Sequence, residues 1–137
     1  MKSILKRVDE ALKRGRTPTL ASVPDSFTPL VLADLARAFA DREGTAALVY
    51  VARDGQRLGL VETGRAFAAP DIEVLQFPSW DCQPYDRVSP TSAITARRMT
   101  VLARLARTRS SEERPRIVLT TANAVAQRVP PRGRIAK

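Results

Sequence analysis

The chain has 137 residues, 44% hydrophobic and 27% charged, with 23 lysines and arginines against 14 acidic residues and a net charge of +9. That length suits one domain burying roughly two-thirds of the surface its unfolded chain exposes, and no apolar run approaches the roughly 20 residues of a membrane span. A single cysteine excludes an internal disulfide, and the lack of histidine excludes histidine-based acid–base catalysis and zinc sites.

Met1 to Arg7 lacks the apolar stretch of a signal peptide, so the cytoplasm is the expected compartment. The charge is unevenly placed: residues 1–86 carry 11 basic and 12 acidic side chains, and residues 87–137 carry 12 basic and 2 acidic ones. Of the 23 basic residues 19 are arginine, the side chain suited to bidentate phosphate or carboxylate contacts. One reading is a patch for nucleic acid or an acidic partner. The other is the arginine bias of a GC-rich genome, displayed on solvated faces.

In chain order, Ile4, Leu5, Val8, Ala11 and Leu12 recur at helical spacing and Gly15 is a stop signal, which predicts a short amphipathic helix in residues 1–16. Thr19 to Val23 reads as a strand. Thr28 as N-cap and Pro29 at the first helical position then open a helix carrying Leu30, Val31, Leu32, Leu35, Ala38 and Phe39. A phosphate loop would sit at such a strand–turn–helix junction, reading G-x-x-x-x-G-K-[ST]. Here Ala21 and Ser26 replace the glycines, Phe27 replaces the lysine, and only Thr28 conforms. Pro24 removes a donor and Asp25 adds an anion, so nucleotide binding is not expected at this junction.

Ala46 to Ala52 is a continuous apolar run, which predicts a central strand covered on both faces. Arg53-Asp54-Gly55 turns into a helix from Gln56 to Ala68, with Asp54 as N-cap, and Ile72 to Phe77 is the third strand. The segment after it, through Pro90, holds the sole Trp and sole Cys and three of the ten prolines, which bar it from helix interiors and central strands. Trp80 and Tyr85 are large enough to pin it to the domain as an ordered connection. Thr91 to Thr108 reads as a helix with Ile94, Arg98, Val101, Leu102 and Leu105 on one stripe, and Arg97, Arg104 and Arg107 mostly off it. Arg116 to Thr121 is the fourth strand, Ala122 to Arg128 a short helix, and residues 132–137 a fraying tail.

Strands separated by helices need crossover connections and a parallel sheet. The expected architecture over residues 17–131 is a three-layer α/β/α sandwich, a degenerate nucleotide-binding fold.

No complete enzyme site is found. Asp81 and Asp86 could be an acid–base or metal pair, but are better read as turn caps pairing with Arg87. Cys82 has no histidine to activate it, and Ser22, Ser26 and Thr28 have no base. No cofactor and no metal are expected.

The run from Pro78-Ser79-Trp80-Asp81 to Pro84-Tyr85-Asp86-Arg87-Val88-Ser89-Pro90 resembles a segment near the N-terminus of bacterial transcription-repair coupling factors, the Mfd family. The likeness continues through Ala96-Arg97-Arg98-Met99, Leu102 to Leu105, Ile117 to Ala124 and Gln127 to Pro131. From about residue 17 onward the chain reads like that family's first subdomain and nothing beyond it.

The resemblance implies a degenerate P-loop NTPase fold of the RecA/helicase kind, the first subdomain of a module similar to excinuclease B. It also implies a role in transcription-coupled nucleotide excision repair. The complete proteins of that family are ATP-driven DNA translocases. This chain lacks the Walker A lysine and any Walker B motif, so it is expected to be inactive.

In excinuclease B the segment corresponding to Trp80 to Pro90 is a long hairpin that probes damaged DNA; here it is short, which argues against lesion recognition. Expected partners are the other domains of a coupling factor, excinuclease A through the adjacent subdomain, and DNA. A membrane is not expected, and self-association could occur through an uncovered sheet edge. Arg87, Arg97, Arg98, Arg104 and Arg107 are the candidate nucleic-acid or partner contacts, with Trp80, Tyr85, Asp86 and Pro90 as structural loop residues. The alternatives are a free-standing nucleic-acid-binding module that also uses Arg109, Arg114 and Arg116, and a weak ATPase.

Overall fold

A computed structural model describes residues 2–40, 47–68, 71–82, 87, 89–107 and 114–135. Among them lie strands β1 (Leu48–Ala52), β2 (Glu73–Phe77) and β3 (Arg116–Thr121), in one parallel sheet of order β1-β3-β2. The helices are α1 (Lys2–Lys13), α2 (Thr28–Phe39), α3 (Gly55–Ala68), α4 (Ser92–Ala106), α5 (Ala122–Ala126) and α6 (Arg132–Ile135).

The sheet carries helices on both faces because its residues alternate. Ile117 and Leu119 pack with Leu32, Ala33 and Ala36 of α2 and Leu58 and Val61 of α3, whereas Val118 between them packs with Phe77, Val101 of α4 and Ala124 of α5. Burying Leu119, 2% exposed, contributes about 2 kcal/mol. Thr120 fits the interior by donating its hydroxyl to the Phe77 carbonyl at 2.9 Å.

Local signals behave as their chemistry requires. Gly15, at φ +67, ends α1 in a Schellman motif: its N–H reaches the Leu12 carbonyl and that of Arg16 reaches Ala11, each at 2.9 Å. Asp54 caps α3 by accepting the Arg57 N–H at 3.0 Å, and this hydrogen bond holds its carboxyl below the usual carboxylate range. Pro29 lies in the first turn of α2. Thr28 is already helical there, because a turn of 3-10 helix over Asp25–Phe27 precedes it and moves the start of the helical stretch upstream.

Other expectations are corrected. Thr19 to Val23 form no strand: Ser22 takes a left-handed φ of 58°, incompatible with extended pairing, and β1 pairs only with β3. Three strands are therefore described where four were expected, and β1 lies at the edge instead of the centre. Its Leu48 and Tyr50 pack on the α2–α3 side, while Val49 and Val51 stay 55% and 46% exposed. β3, buried at five consecutive positions, is the central strand. Residues 132–135, expected to fray, form α6, where the Arg132 guanidinium donates to the Ala106 carbonyl at 3.0 Å. No described helix is long and apolar enough to cross a membrane.

Candidate functional site

The carboxyl ends of parallel strands are where α/β folds usually hold ligands, and two of the sequence features lie toward that end. The segment carrying Ala21, Ser26, Phe27 and Thr28 does not form a phosphate cradle. No strand leads into it, Pro24 has no N–H, and Phe27 spends its own N–H on the Pro24 carbonyl at 2.9 Å. The Phe27 ring is 51% exposed, and the Asp25 carboxylate stands 3.4 Å from Arg57. Anionic phosphate would meet that carboxylate.

The proline-rich segment leaving β2 is fastened by Arg98. This α4 side chain is 1% exposed, with its guanidinium carbon 4.2 Å from the centres of both the Phe77 and Trp80 rings. Its Nη1 donates to the Pro78 carbonyl at 2.7 Å and to Gln127 Oε1 at 3.1 Å, and that same oxygen accepts the Trp80 N–H at 2.9 Å. Nη2 is buried with no hydrogen-bond partner among the described residues. Burial pushes the Arg98 pKa below its ordinary value. Arg98 is therefore an internal anchor, and the structure removes it from the exposed contact set.

Asp81 closes the other end of the segment, accepting the Thr91 hydroxyl at 2.6 Å and the Thr91 N–H at 3.1 Å. The hydroxyl contact first, then the N–H, hold its carboxyl below the usual range. Its partner is Thr91, ten positions along the chain at the residue preceding α4, where a local turn and Arg87 were expected. Pro90 is half-buried, Arg87 exposed and Cys82 half-buried. Tyr85, Asp86 and Arg109 lie outside the described residues.

At the opposite end, the amino edge of the sheet, arginines converge on one carboxylate. Glu73 opens β2 and pairs in register with Arg116, which opens β3. Arg116, 6% exposed, donates its Nε to Glu73 Oε2 at 2.6 Å, while Arg104 from the last turn of α4 donates to Oε1. Burial opposes ionisation of Glu73 most strongly, but the hydrogen bonds and charges of Arg116 and Arg104 outweigh it and hold the carboxyl below its usual range. Arg116 also donates to the Arg104 carbonyl at 3.4 Å, placing positive charge at the negative end of α4.

Arg107 and Arg114 complete the walls of an open cleft of about 400 Å³ lined by Glu73, Arg104, Arg107, Arg114 and Arg116. Among the described residues the lining is four guanidiniums and one carboxylate, a positive balance, and Asp71, whose carboxyl is held below its usual range chiefly by its hydrogen bond to Arg37, also feels the charge of Arg114. Arg104 and Arg107 thus meet at one site, and Arg97 lies exposed farther up α4. Among the described residues, no group of three or more His, Cys, Asp or Glu side chains could hold a metal.

Two residues that organise these sites had no functional role in the sequence reading. Glu73 could have been found by noting that oppositely charged residues open β2 and β3. Gln127 carries no local signal, because its partners lie 29 and 47 positions away.

A scan against protein-family models found no match, and neither did searches of curated proteins and of solved structures.

Proposed function

We propose that this chain is a non-catalytic scaffold subdomain of a transcription-repair coupling factor, with the three-layer sandwich of a degenerate P-loop, RecA/helicase-like fold. In the intact protein it would orient the subdomain that recruits excinuclease A in transcription-coupled nucleotide excision repair. It would act in the cytoplasm, with no nucleotide of its own.

The observation that carries this reading is the convergence of Pro78, Trp80, Arg98 and Gln127. These residues belong to the stretches on which the resemblance rests, and they bond to and stack on one another across 18 to 47 positions. Conventional contact surfaces keep their arginines and tryptophans available to a partner; here they are spent internally, fixing Pro78 and Trp80 beside α4 as the chain leaves β2. A scaffold needs that rigidity. The segment over Ala21 to Thr28 supports the non-catalytic part, since it offers an anion and a proline where a nucleotide phosphate needs N–H donors.

The test is a domain exchange. Residues 17–131 replace the first subdomain of a bacterial coupling factor, and preferential repair of the transcribed strand is measured after ultraviolet irradiation. Retained strand preference is expected. A folded, normally expressed chimera without strand preference overturns the assignment. Calorimetry with ATP and magnesium separates the weak-ATPase alternative, because micromolar binding would contradict the reading of Ala21 to Thr28.

A further inference from the structure

We propose that the arginine cleft at the amino edge of the sheet, with the row of arginines leading to it along α4, binds the phosphodiester backbone of a nucleic acid. The inference stands on the cleft and is independent of the coupling-factor assignment. Guanidinium forks match phosphate oxygens bidentately, and all four basic residues of the cleft are arginine. The one carboxylate that lines it among the described residues, Glu73, has both oxygens engaged, Oε1 by Arg104 and Oε2 by Arg116. It therefore positions these arginines without cancelling the site's charge.

The surroundings favour a strand over a small anion. Arg97, Arg104 and Arg107 are all exposed, and α4 contains no acidic residue. Arg97 and Arg104 are seven positions apart and share a helix face, while Arg107 is one further turn along. At the helical rise, the ten steps from Arg97 to Arg107 span about 15 Å, room for successive phosphates of one strand. An enclosed pocket for one nucleotide would instead be expected at the carboxyl ends of the strands.

The experiment is fluorescence anisotropy of a labelled single strand and a labelled duplex titrated with the whole chain at several salt concentrations. Three single variants are compared: Arg104→Glu, Arg107→Glu and, as a control at the far end of the sheet, Arg53→Glu, whose side chain is 86% exposed. Circular dichroism verifies folding; Arg107, which makes no ion pair among the described residues, keeps the test valid if the Arg104 variant is damaged.

The expected result is about a tenfold loss of affinity for Arg107→Glu, with a log–log salt slope shallower by roughly 0.9 per phosphate contact removed. The control should lose less than half as much in free energy. Equal losses in all three variants would mean that net charge alone binds, and would overturn the site. So would absence of binding at low salt. Preferential binding of polyglutamate over the oligonucleotides would replace the nucleic acid by an acidic protein partner.

Discussion

The guanidinium carbon of Arg98 lies 4.2 Å from the centre of the Trp80 ring, joining α4 to the segment that leaves β2. The arginine is 1% exposed, and among the described residues its charge is held by ring faces and by the Pro78 and Gln127 oxygens, with no hydrogen-bond partner for Nη2. Lysine cannot reproduce this arrangement: its ammonium is more strongly hydrated and lacks the planar fork.

Arg98→Lys is therefore expected to destabilise the domain by about 2 kcal/mol, and Arg98→Met by less, because methionine fills the space without burying a charge. Urea unfolding followed by Trp80 emission measures both, Trp80 being the sole tryptophan. A lysine variant as stable as the wild type would contradict the stacking argument.

Glu73 predicts an acid-sensitive component of stability. Its folded-state pKa is depressed, so the stabilisation is present above the unfolded carboxyl pKa of about 4.3 and disappears as pH falls through the folded value. Glu73→Gln leaves the buried Arg116 without its carboxylate and is expected to cost about 2 kcal/mol at pH 7. As pH falls from 7 through the depressed folded value, the wild type and Glu73→Gln should converge, since the wild-type carboxyl is then increasingly protonated. Thermal unfolding over a descending pH series checks this, and a constant difference between the two proteins would contradict it.

Legibility followed the range over which each feature is encoded. Asp54, Gly15 and Pro29 act within a turn of their own positions, and their roles could be read from neighbouring residues. The helical stripe of α4 was also legible, and it correctly included Arg98 and Val101. What failed depended on tertiary pairing. The Thr19 to Val23 run has strand composition, but Ser22 is left-handed and no strand pairs with the segment. The apolar run of β1 suggested a centre that register assigns to β3. The cleft was half legible: arginine enrichment was visible in composition, whereas the convergence on Glu73 depends on pairings 31 and 43 positions apart.

Ser22 offers a test of the loop geometry. At φ 58° an L-residue with a Cβ is strained by about 1–2 kcal/mol, and glycine relieves this at an entropic cost of about 0.5–1 kcal/mol. Ser22→Gly should therefore raise stability by about 0.5 kcal/mol, read as a higher urea midpoint with unchanged slope. A clear decrease would indicate that the segment is extended, as the strand reading of Thr19 to Val23 required.

The outer edge of β1 predicts concentration-dependent self-association. Among the described residues β1 pairs with β3 on one side only, which leaves its other edge open to pairing. Val49 and Val51 share the face occupied by Phe77 and Val118, yet are 55% and 46% exposed, and α5, which contacts β1, carries Val125 at 55% exposure. An apolar strip along an open strand edge can pair with a second copy. Sedimentation equilibrium of the wild-type chain should show an average mass rising with concentration. The double variant Val49→Lys, Val51→Lys should remain monomeric, because a second copy would have to bury lysine ammonium groups. As both positions are exposed, the double variant should lose less than about 1 kcal/mol of stability. A wild-type mass that stays monomeric at every concentration would show that this edge does not pair between copies.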